Sequence, residues 1–262
     1  MPKYLDFRLE ILTKDGAKII ADSEGRQHIE ALPSYEADGL ITYHDSDFLS
    51  DPIFQKNYHL AIQQNHYQAN NGSFDIQWRA YIYLAFSKMA LQLPGDFIEF
   101  GVANGFMARF VSEMMPRSFD DKSYYLVDTY HGIPESQASK TEKNLAISKN
   151  KRFYQGINLD EIRRSFEGHS HIKIIQGEVP LILEKLPLME CCFCSIDMNI
   201  TVPEVEAFRW IWPKMVSGGI VLLDDYNSKL HREQKDAFNA LAAELGFVVI
   251  ALPTGQGFII KH

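Results

Sequence analysis

The chain has 262 residues, which is enough for one large α/β domain or for a core with an added segment. Apolar residues make up 46% of it and charged residues 23%, as in a globular protein with a substantial core, while the net charge of −8 argues against binding to nucleic acid. Apolar runs stay well short of the roughly 20 residues of a membrane helix, and charges interrupt the N-terminus as they would not in a signal peptide, so we expect a cytoplasmic protein.

Helical spacing of apolar residues dominates residues 51–93, most clearly from Trp78 to Met89, and Pro94-Gly95 then interrupts the chain. We therefore predict a mainly helical N-terminal extension, residues 1–93, followed by a core domain, residues 94–262. The extension is expected to help form the substrate pocket, and its aromatic residues make it a candidate surface for a homodimer.

Strands and helices alternate after Pro94, which predicts a parallel sheet with helices on both faces. The predicted strands are Phe97–Val102, Tyr124–Thr129, Ile172–Gln176, Cys192–Met198, Ile220–Asp224, Phe247–Leu252 and Phe258–Lys261. The predicted helices are Asn104–Met115, Leu159–Phe166, Val179–Leu186, Pro203–Trp212 and His231–Leu245. The link between the last two strands, residues 253–257, is too short for a crossover helix, so these strands must pair in antiparallel fashion. A seven-stranded, mostly parallel sheet with an antiparallel last strand is the Rossmann-like outline of class I methyltransferases, whereas a nicotinamide-binding sheet is expected to stay parallel there.

All the cysteines of the chain fall in Cys191-Cys192-Phe193-Cys194, whose C-x-x-C spacing is compatible with a metal or redox pair. The segment is predicted to be a buried strand, and side chains alternate between the faces of a strand. Cys191 and Cys194 are then expected on opposite faces, where they pack as small apolar residues and do not share a metal.

The first predicted strand of the core runs into a helix through a turn that contains two glycines four positions apart. The residues of this turn that we predict to bind a cofactor are Glu99, Phe100, Gly101, Val102, Asn104 and Gly105. Glycine permits a sharp turn, and the helix N-terminus offers free N–H groups to a carboxylate. Since the dinucleotide pattern G-x-G-x-x-G is absent, the turn favours a cofactor with an amino-acid end, S-adenosylmethionine, over a pyrophosphate.

Two further segments at strand ends, and Asp197 after the fourth strand, are candidates for contacts with that cofactor. Asp128-Thr129 ends the second strand, where an acidic residue reaches ribose hydroxyls in doubly wound folds, although Asp at a strand end is also a common turn former. Gly177-Glu178 follows the third strand and is predicted either to contact adenine or to cap the next helix.

Three carboxylates, Asp197, Asp224 and Asp225, end the fourth and fifth strands. Ligands of open α/β sheets bind at the carboxyl ends of the strands, so these acids are expected to converge. Because clustered carboxylates repel each other unless a cation neutralises them, they are either ligands of a hard cation such as Mg²⁺ or solvated acids. A bound divalent ion would lower the pKa of a hydroxyl acceptor such as that of a sugar.

The core resembles the macrocin O-methyltransferase family, whose members methylate hydroxyls on sugars of macrolides and related natural products. The resemblance runs from about Trp78 to the C-terminus. It rests on Gly95–Val102, Val127–Pro134, Ile196-Asp197, Pro213–Met215 with Gly218-Gly219, and Asp224-Asp225-Tyr226. It implies a class I methyltransferase fold, S-adenosylmethionine as cofactor, and Mg²⁺ on the acids Asp197, Asp224 and Asp225.

One departure from the family concerns the base. The family usually has D-x-D-x-Y after the fourth strand, with the second Asp as candidate base, but this chain has Asp197-Met198-Asn199-Ile200-Thr201. Asn199 cannot accept a proton at neutral pH, so the base lies elsewhere, the metal suffices, or catalysis is altered. His131 titrates in the right range and is either that base or a surface residue. The candidate catalytic residues are therefore Asp197, Asn199 and His131.

The segment Gly132–Gly156 is long, polar and without clear periodicity, and we predict that it is a lid over the site. Three functions are compatible with these features: a metal-assisted O-methyltransferase acting on a sugar-like, hydroxylated small molecule, a cofactor-binding protein without turnover, and a nicotinamide-dependent oxidoreductase. Binding to nucleic acid or to a membrane is not expected.

Overall fold

The computed structural model describes residues 18–21, 27–30, 33–64 and 75–262. The chain divides into two compact units, Met1–Asp47 and Phe48–His262. The described part of the first unit consists of two antiparallel strand pairs. Their strands are β1 (Lys18–Ala21) with β2 (Gln27–Glu30), and β3 (Tyr35–Ala37) with β4 (Leu40–Thr42).

A seven-stranded sheet forms the centre of the second unit. Its strands are β5 (Asp96–Phe100), β6 (Tyr124–Asp128), β7 (Ile172–Gln176), β8 (Cys191–Ile196), β9 (Met215–Leu223), β10 (Ile250–Ala251) and β11 (Gly257–Ile260). The spatial order is β10-β11-β9-β8-β5-β6-β7. Strands β9, β8, β5, β6 and β7 run parallel, and β11 is antiparallel to both of its neighbours. The predicted fold class, including the antiparallel last strand, is confirmed.

Helices cover both faces of this sheet. They are α1 (Pro52–Gln64), α2 (Gln77–Ala90), α3 (Phe106–Met114), α4 (Lys143–Lys149), α5 (Leu159–Ser165), α6 (Thr201–Ile211) and α7 (Arg232–Leu245). Helices α1, α2, α3 and α5 contribute to the apolar cluster on one face, and α6 and α7 to the cluster on the other. None of the helices in the described ranges combines the length and apolar content needed to cross a membrane. The functional boundary that we place at residue 93 stays a prediction.

Several elements differ from the predictions. Strand β9 begins at Met215, five positions before its predicted start, because Met215 pairs with Cys191 of β8 and the backbones of Gly218 and Gly219 bond to Lys261. The predicted helix over 179–186 is reduced to the 3-10 turn Leu183–Lys185. The segment 132–156 is not irregular throughout, since it contains α4 and the π turn Asn150–Tyr154.

The cysteines are free and fully buried, as a core role requires. The prediction that Cys191 and Cys194 occupy opposite faces is wrong, because both belong to the same apolar cluster while Cys192 belongs to the other. The reason is an irregularity in the β8 pairing between Cys191 and Phe193, which interrupts the strict alternation of side chains.

The sheet order leaves a crevice at the centre of the carboxyl edge. From β5 the chain proceeds outward through β6 and β7, and then returns to place β8 and β9 on the other side of β5. The helices after β5 and β8 therefore diverge, and ligands of doubly wound sheets bind at such a reversal.

Candidate active site

The turn after β5 lies directly against the end of β8. Gly101 has a φ of 84°, and a Cβ atom there would lie 1.8 Å from the carbonyl oxygen of Asp197. The Asp197 amide also donates to the Phe100 carbonyl at 2.8 Å. Only glycine permits this approach, and it brings the predicted cofactor turn into contact with the predicted acidic site.

The rest of the turn leads into α3. Gly105 has a φ of 79° and precedes the first helical residue, and a Cβ there would lie 2.7 Å from the ring of Phe166. The side chains of Phe100 and Val102 are buried in the two apolar clusters, whereas Asn104 is half-buried. A ligand at this turn would therefore contact backbone atoms of Phe100 and Val102 and not their side chains.

Glu99 points into the core and meets two tyrosines. Its Oε2 accepts hydrogen bonds from the hydroxyls of Tyr83 at 3.1 Å and Tyr124 at 2.9 Å. Glu99 is only 5% exposed. Burial raises the pKa of Glu99 to about 8, although the hydrogen bonds from the two tyrosines act to lower it. The Glu99 carboxyl is therefore bonded to tyrosines, while the Glu99 backbone is part of β5, the strand that leads into the turn.

Asp128, at the end of β6, holds the same turn through hydrogen bonds to its backbone amides. Its Oδ2 accepts from the amides of Val102 at 2.7 Å and Ala103 at 2.9 Å, and its Oδ1 accepts from the Tyr130 amide at 2.6 Å. The neighbouring Thr129 hydroxyl donates to the Gly132 carbonyl at 2.7 Å. Asp128 therefore has a demonstrable role in the shape of the turn, and its predicted contact with ribose stays a prediction.

The third predicted segment follows β7. The Gly177 amide donates to the Asp128 carbonyl at 2.9 Å, so this segment continues the pairing between β6 and β7. Glu178 accepts from the Gln137 side-chain amide at 2.5 Å. This bond joins the adenine candidate to the predicted lid.

The three predicted acids come together. One carboxylate oxygen from each of Asp197, Asp224 and Asp225 lies within 4.8 Å of the others, and all three residues are half-buried. Burial, followed by the carboxylates of Asp224 and Asp225, raises the pKa of Asp197 well above its usual range. An all-oxygen group of this kind has the donors that Mg²⁺ prefers, so the residues fit a divalent cation.

Nitrogen donors surround these acids. Arg79 of α2 donates to Asp224 Oδ2 at 2.7 Å and to its carbonyl at 3.0 Å, and Gln256 donates to Asp224 Oδ1 at 3.1 Å. Lys149, the last residue of α4, lies with its Nζ 3.6 Å from Asp225 Oδ2. The side chains of Arg79 and Lys149 therefore place two positive charges beside the three carboxylates.

Asn199 bonds to Asp197 and to two residues of the predicted lid, Lys149 and Tyr154. Its Nδ2 donates to Asp197 Oδ1 at 3.0 Å and to the Tyr154 hydroxyl at 3.1 Å, and its Oδ1 accepts from Lys149. Its φ of 65° is in the left-handed region, which Asn tolerates better than most residues. Asn199 consequently orients Asp197 and holds the segment that we predicted to be a lid.

The structure brings a different histidine to the acids from the one we predicted. His131 is exposed, and its hydrogen bonds are with Tyr130 and Thr129 of its own turn. His231 is 5% exposed, with its Nε2 3.2 Å from Asp225 Oδ2 and 3.0 Å from Lys149 Nζ. Burial lowers the pKa of His231.

Lys149, His231 and Gln256 are the site residues that sequence reasoning did not identify, and Arg79 was considered only as a residue that could hold a carboxylate. The only available signals were the positive charge of the predicted lid and an arginine within the helix before the core. Neither signal indicates which carboxylate such a residue meets.

A family model described as Macrocin-O-methyltransferase (TylF) matches residues 85–243, which is more than half of the chain. The chain belongs to the macrocin O-methyltransferase family. The resemblance predicted from the turn, the strand ends and the acids is confirmed by this match.

Two curated relatives agree with the family assignment. One is the 8-demethyl-8-(2,3-dimethoxy-alpha-L-rhamnosyl)-tetracenomycin-C 4'-O-methyltransferase of Streptomyces olivaceus, 22% identical over 144 residues that cover 51% of this chain and 54% of the relative. The other is the demethyldecarbamoylnovobiocin O-methyltransferase of Streptomyces niveus, 22% identical over 142 residues, with coverage of 51% and 53%. The matched part spans about half the length of these relatives.

Two solved methyltransferase structures share the fold. The O-methyltransferase NovP superposes with a TM-score of 0.66 at 17% identity, covering 83% of this chain and 99% of NovP. The calicheamicin methyltransferase CalS11 superposes with a TM-score of 0.59 at 16% identity, covering 83% of this chain and 94% of CalS11. The second unit therefore has the class I methyltransferase fold.

Proposed function

We propose that the chain is an S-adenosylmethionine-dependent O-methyltransferase that acts on a hydroxyl of a sugar or glycosylated small molecule. The observation that carries this proposal is the contact between Gly101 and Asp197, which joins the cofactor turn to the three acids. The sulfonium cofactor and the acceptor hydroxyl would then lie side by side, and alignment of the two supplies much of the catalysis. The acceptor in the name of the Streptomyces olivaceus relative carries a rhamnosyl group, which favours this substrate class.

The residues proposed for the cofactor are those around the turn. Backbone atoms of Gly101 to Gly105, held by Asp128, would receive the amino-acid end, and the strand-end residues Thr129, Gly177 and Glu178 would lie toward the nucleoside. The backbone of Glu99 holds the turn, while its carboxyl stays with the tyrosines. His131 is given no part, since its imidazole is exposed and bonded within its own loop.

Asp197, Asp224 and Asp225 are proposed to hold Mg²⁺. A bound divalent cation supplies positive charge that lowers the pKa of an acceptor hydroxyl. Asn199 orients Asp197 by donating to its Oδ1, and Gln256 does the same for Asp224. Neither amide accepts a proton at neutral pH, so we assign them to positioning and not to base catalysis.

The test is transfer of labelled methyl groups from S-adenosylmethionine to a panel of sugar nucleotides and glycosides, with Mg²⁺ or with a chelator. We expect transfer that the chelator abolishes. Asp224→Asn should lower kcat/KM by ~100-fold or more, since even changes beyond the ligand shell of a metal cost 10–100-fold. Asp121→Asn, an exposed change at the opposite edge of the sheet, should have no effect.

Calorimetric titration addresses the alternatives. We expect S-adenosylhomocysteine to bind and NAD not to bind. Tight binding of NAD without binding of S-adenosylhomocysteine would refute the proposal in favour of an oxidoreductase. Binding of S-adenosylhomocysteine with no transfer to any hydroxyl acceptor would support a cofactor-binding protein without turnover.

A further inference from the structure

The ammonium group of Lys149 lies among the residues that surround the proposed cation. It donates to Asn199 Oδ1, lies 3.0 Å from His231 Nε2, and lies 3.6 Å from Asp225 Oδ2. Its side chain is 19% exposed and that of Asp225 is 12% exposed, so the pair is largely shielded from water. Charges in such a setting interact more strongly than charges at the surface.

A divalent cation on Asp225 and the Lys149 ammonium at its present position would repel each other. The three acids already have Arg79 on Asp224 in addition to Lys149 on Asp225. Adding a divalent ion without moving either group would bring four positive charges to three carboxylates. Withdrawal of one of the two side chains when the ion binds would remove this excess of positive charge.

Arg79 is the less able of the two to withdraw. It extends from α2, which packs on the sheet, and it bonds both the carbonyl and the carboxylate of Asp224 at hydrogen-bond distance. Lys149 is held to Asp225 by a longer contact, and it stands at the end of the short helix α4, of which only Ala146 is buried.

The segment that carries Lys149 has a second attachment to the core. Glu142 Oε1 accepts from the Thr201 amide at 2.8 Å and from the Thr201 hydroxyl at 2.5 Å. Release of Lys149 would leave this attachment intact. The end of α4 lies between this attachment and the bond of Tyr154 to Asn199, so Lys149 can separate from the acids while the segment stays attached at both points.

We propose that Lys149 is a built-in competitor of the divalent cation: its ammonium neutralises Asp225 in the metal-free chain, and metal binding displaces it together with the end of α4. This inference rests on the proposed cation site. It makes Lys149 a residue that sets metal affinity and couples metal binding to the position of the segment over the site.

The test is calorimetric titration of the full chain with Mg²⁺ alone, without acceptor. Lys149→Met keeps the length of the side chain and removes its charge, and it should bind Mg²⁺ about tenfold more tightly or better. Lys149→Arg keeps the charge and should not gain affinity. Lys143→Met, an exposed change on the same helix, is the matched control and should behave as the wild type.

Hydrogen exchange of the wild-type chain gives an independent readout that needs no variant. Mg²⁺ should increase amide exchange in α4 and leave α6 unchanged. Wild-type binding of Mg²⁺ with no gain in Lys149→Met, or with an equal gain in Lys149→Arg, would overturn the inference and leave the proposed function intact. Unaltered exchange in α4 on Mg²⁺ binding would overturn it as well.

Absence of Mg²⁺ binding in every protein would overturn both this inference and the metal part of the proposed function. Methyl transfer measured on the same samples tests the enzymatic part separately.

Discussion

Glu99 is an acid in an almost fully buried position between two tyrosines. Its pKa of about 8 lies above its ordinary value of 4.5 because burial disfavours the charged form. The folded chain therefore binds the proton more tightly than the unfolded chain does. The resulting stabilisation is complete below about pH 4.5 and is lost as the pH rises through about 8.

Glu99→Gln should remove this pH dependence. Between pH 5 and pH 8 the free energy of unfolding of the wild type should fall relative to that of the variant, by up to about 1.4 kcal/mol per pH unit. Urea unfolding at several pH values measures the difference. Glu184→Gln, an exposed change, should follow the wild type, and parallel curves for Glu99→Gln and the wild type would contradict the raised pKa.

Single residues of the site differ in how far the sequence reveals them. Asp197, Asp224 and Asp225 could be predicted to converge because their places at the ends of adjacent parallel strands are visible in the sequence. Lys149 and His231, 82 positions apart, meet only because a polar helix folds over the sheet edge. No local sequence pattern predicts a contact between residues so far apart in the chain, which is why sequence reasoning selected His131 instead.

Elements were predictable where apolar periodicity or capping chemistry is strong. Helix α5 begins at Leu159 as predicted, because the side chain of Asn158 caps it by accepting from the amides of Asp160 and Glu161. Helix α4 was missed because only Ala146 of its residues is buried, so it has no apolar stripe. The start of β9 was missed because Gly218-Gly219 is typical of a turn.

The junction of β5 and β8 gives a prediction about a single glycine. Gly101→Ala should destabilise the chain by more than ~3 kcal/mol, because it adds a collision with the Asp197 backbone to the ~1–3 kcal/mol of left-handed strain. Gly168→Ala is the matched control, with a φ of 91° but open space where the Cβ would lie. Urea unfolding should show a clearly larger loss for Gly101→Ala. Equal losses would mean that the junction yields without cost.

At the scale of the whole molecule, the thiols report on opening of the core. All three cysteines lie in β8, the fully buried strand near the middle of the sheet, and burial raises the pKa of Cys192 to about 12. A thiol reagent such as Ellman's should therefore label none of them in the native chain and all of them in denaturant. Met189→Cys, at a position that is 82% exposed, should react at once and provides the control. Rapid labelling of the native wild type would contradict the buried assignment.

The placement of β11 has a consequence for the order in which the chain assembles during synthesis. Strand β11 is inserted between β9 and β10, and the loop before it supplies Gln256 to Asp224. A nascent chain that has emerged only as far as α7 thus has an unpaired edge on β9, where apolar residues follow Gly219, and an acid without its amide partner. The acidic site is completed only after residues 256–260 leave the ribosome, so until then the nascent chain is prone to aggregate and its group of acids is incomplete.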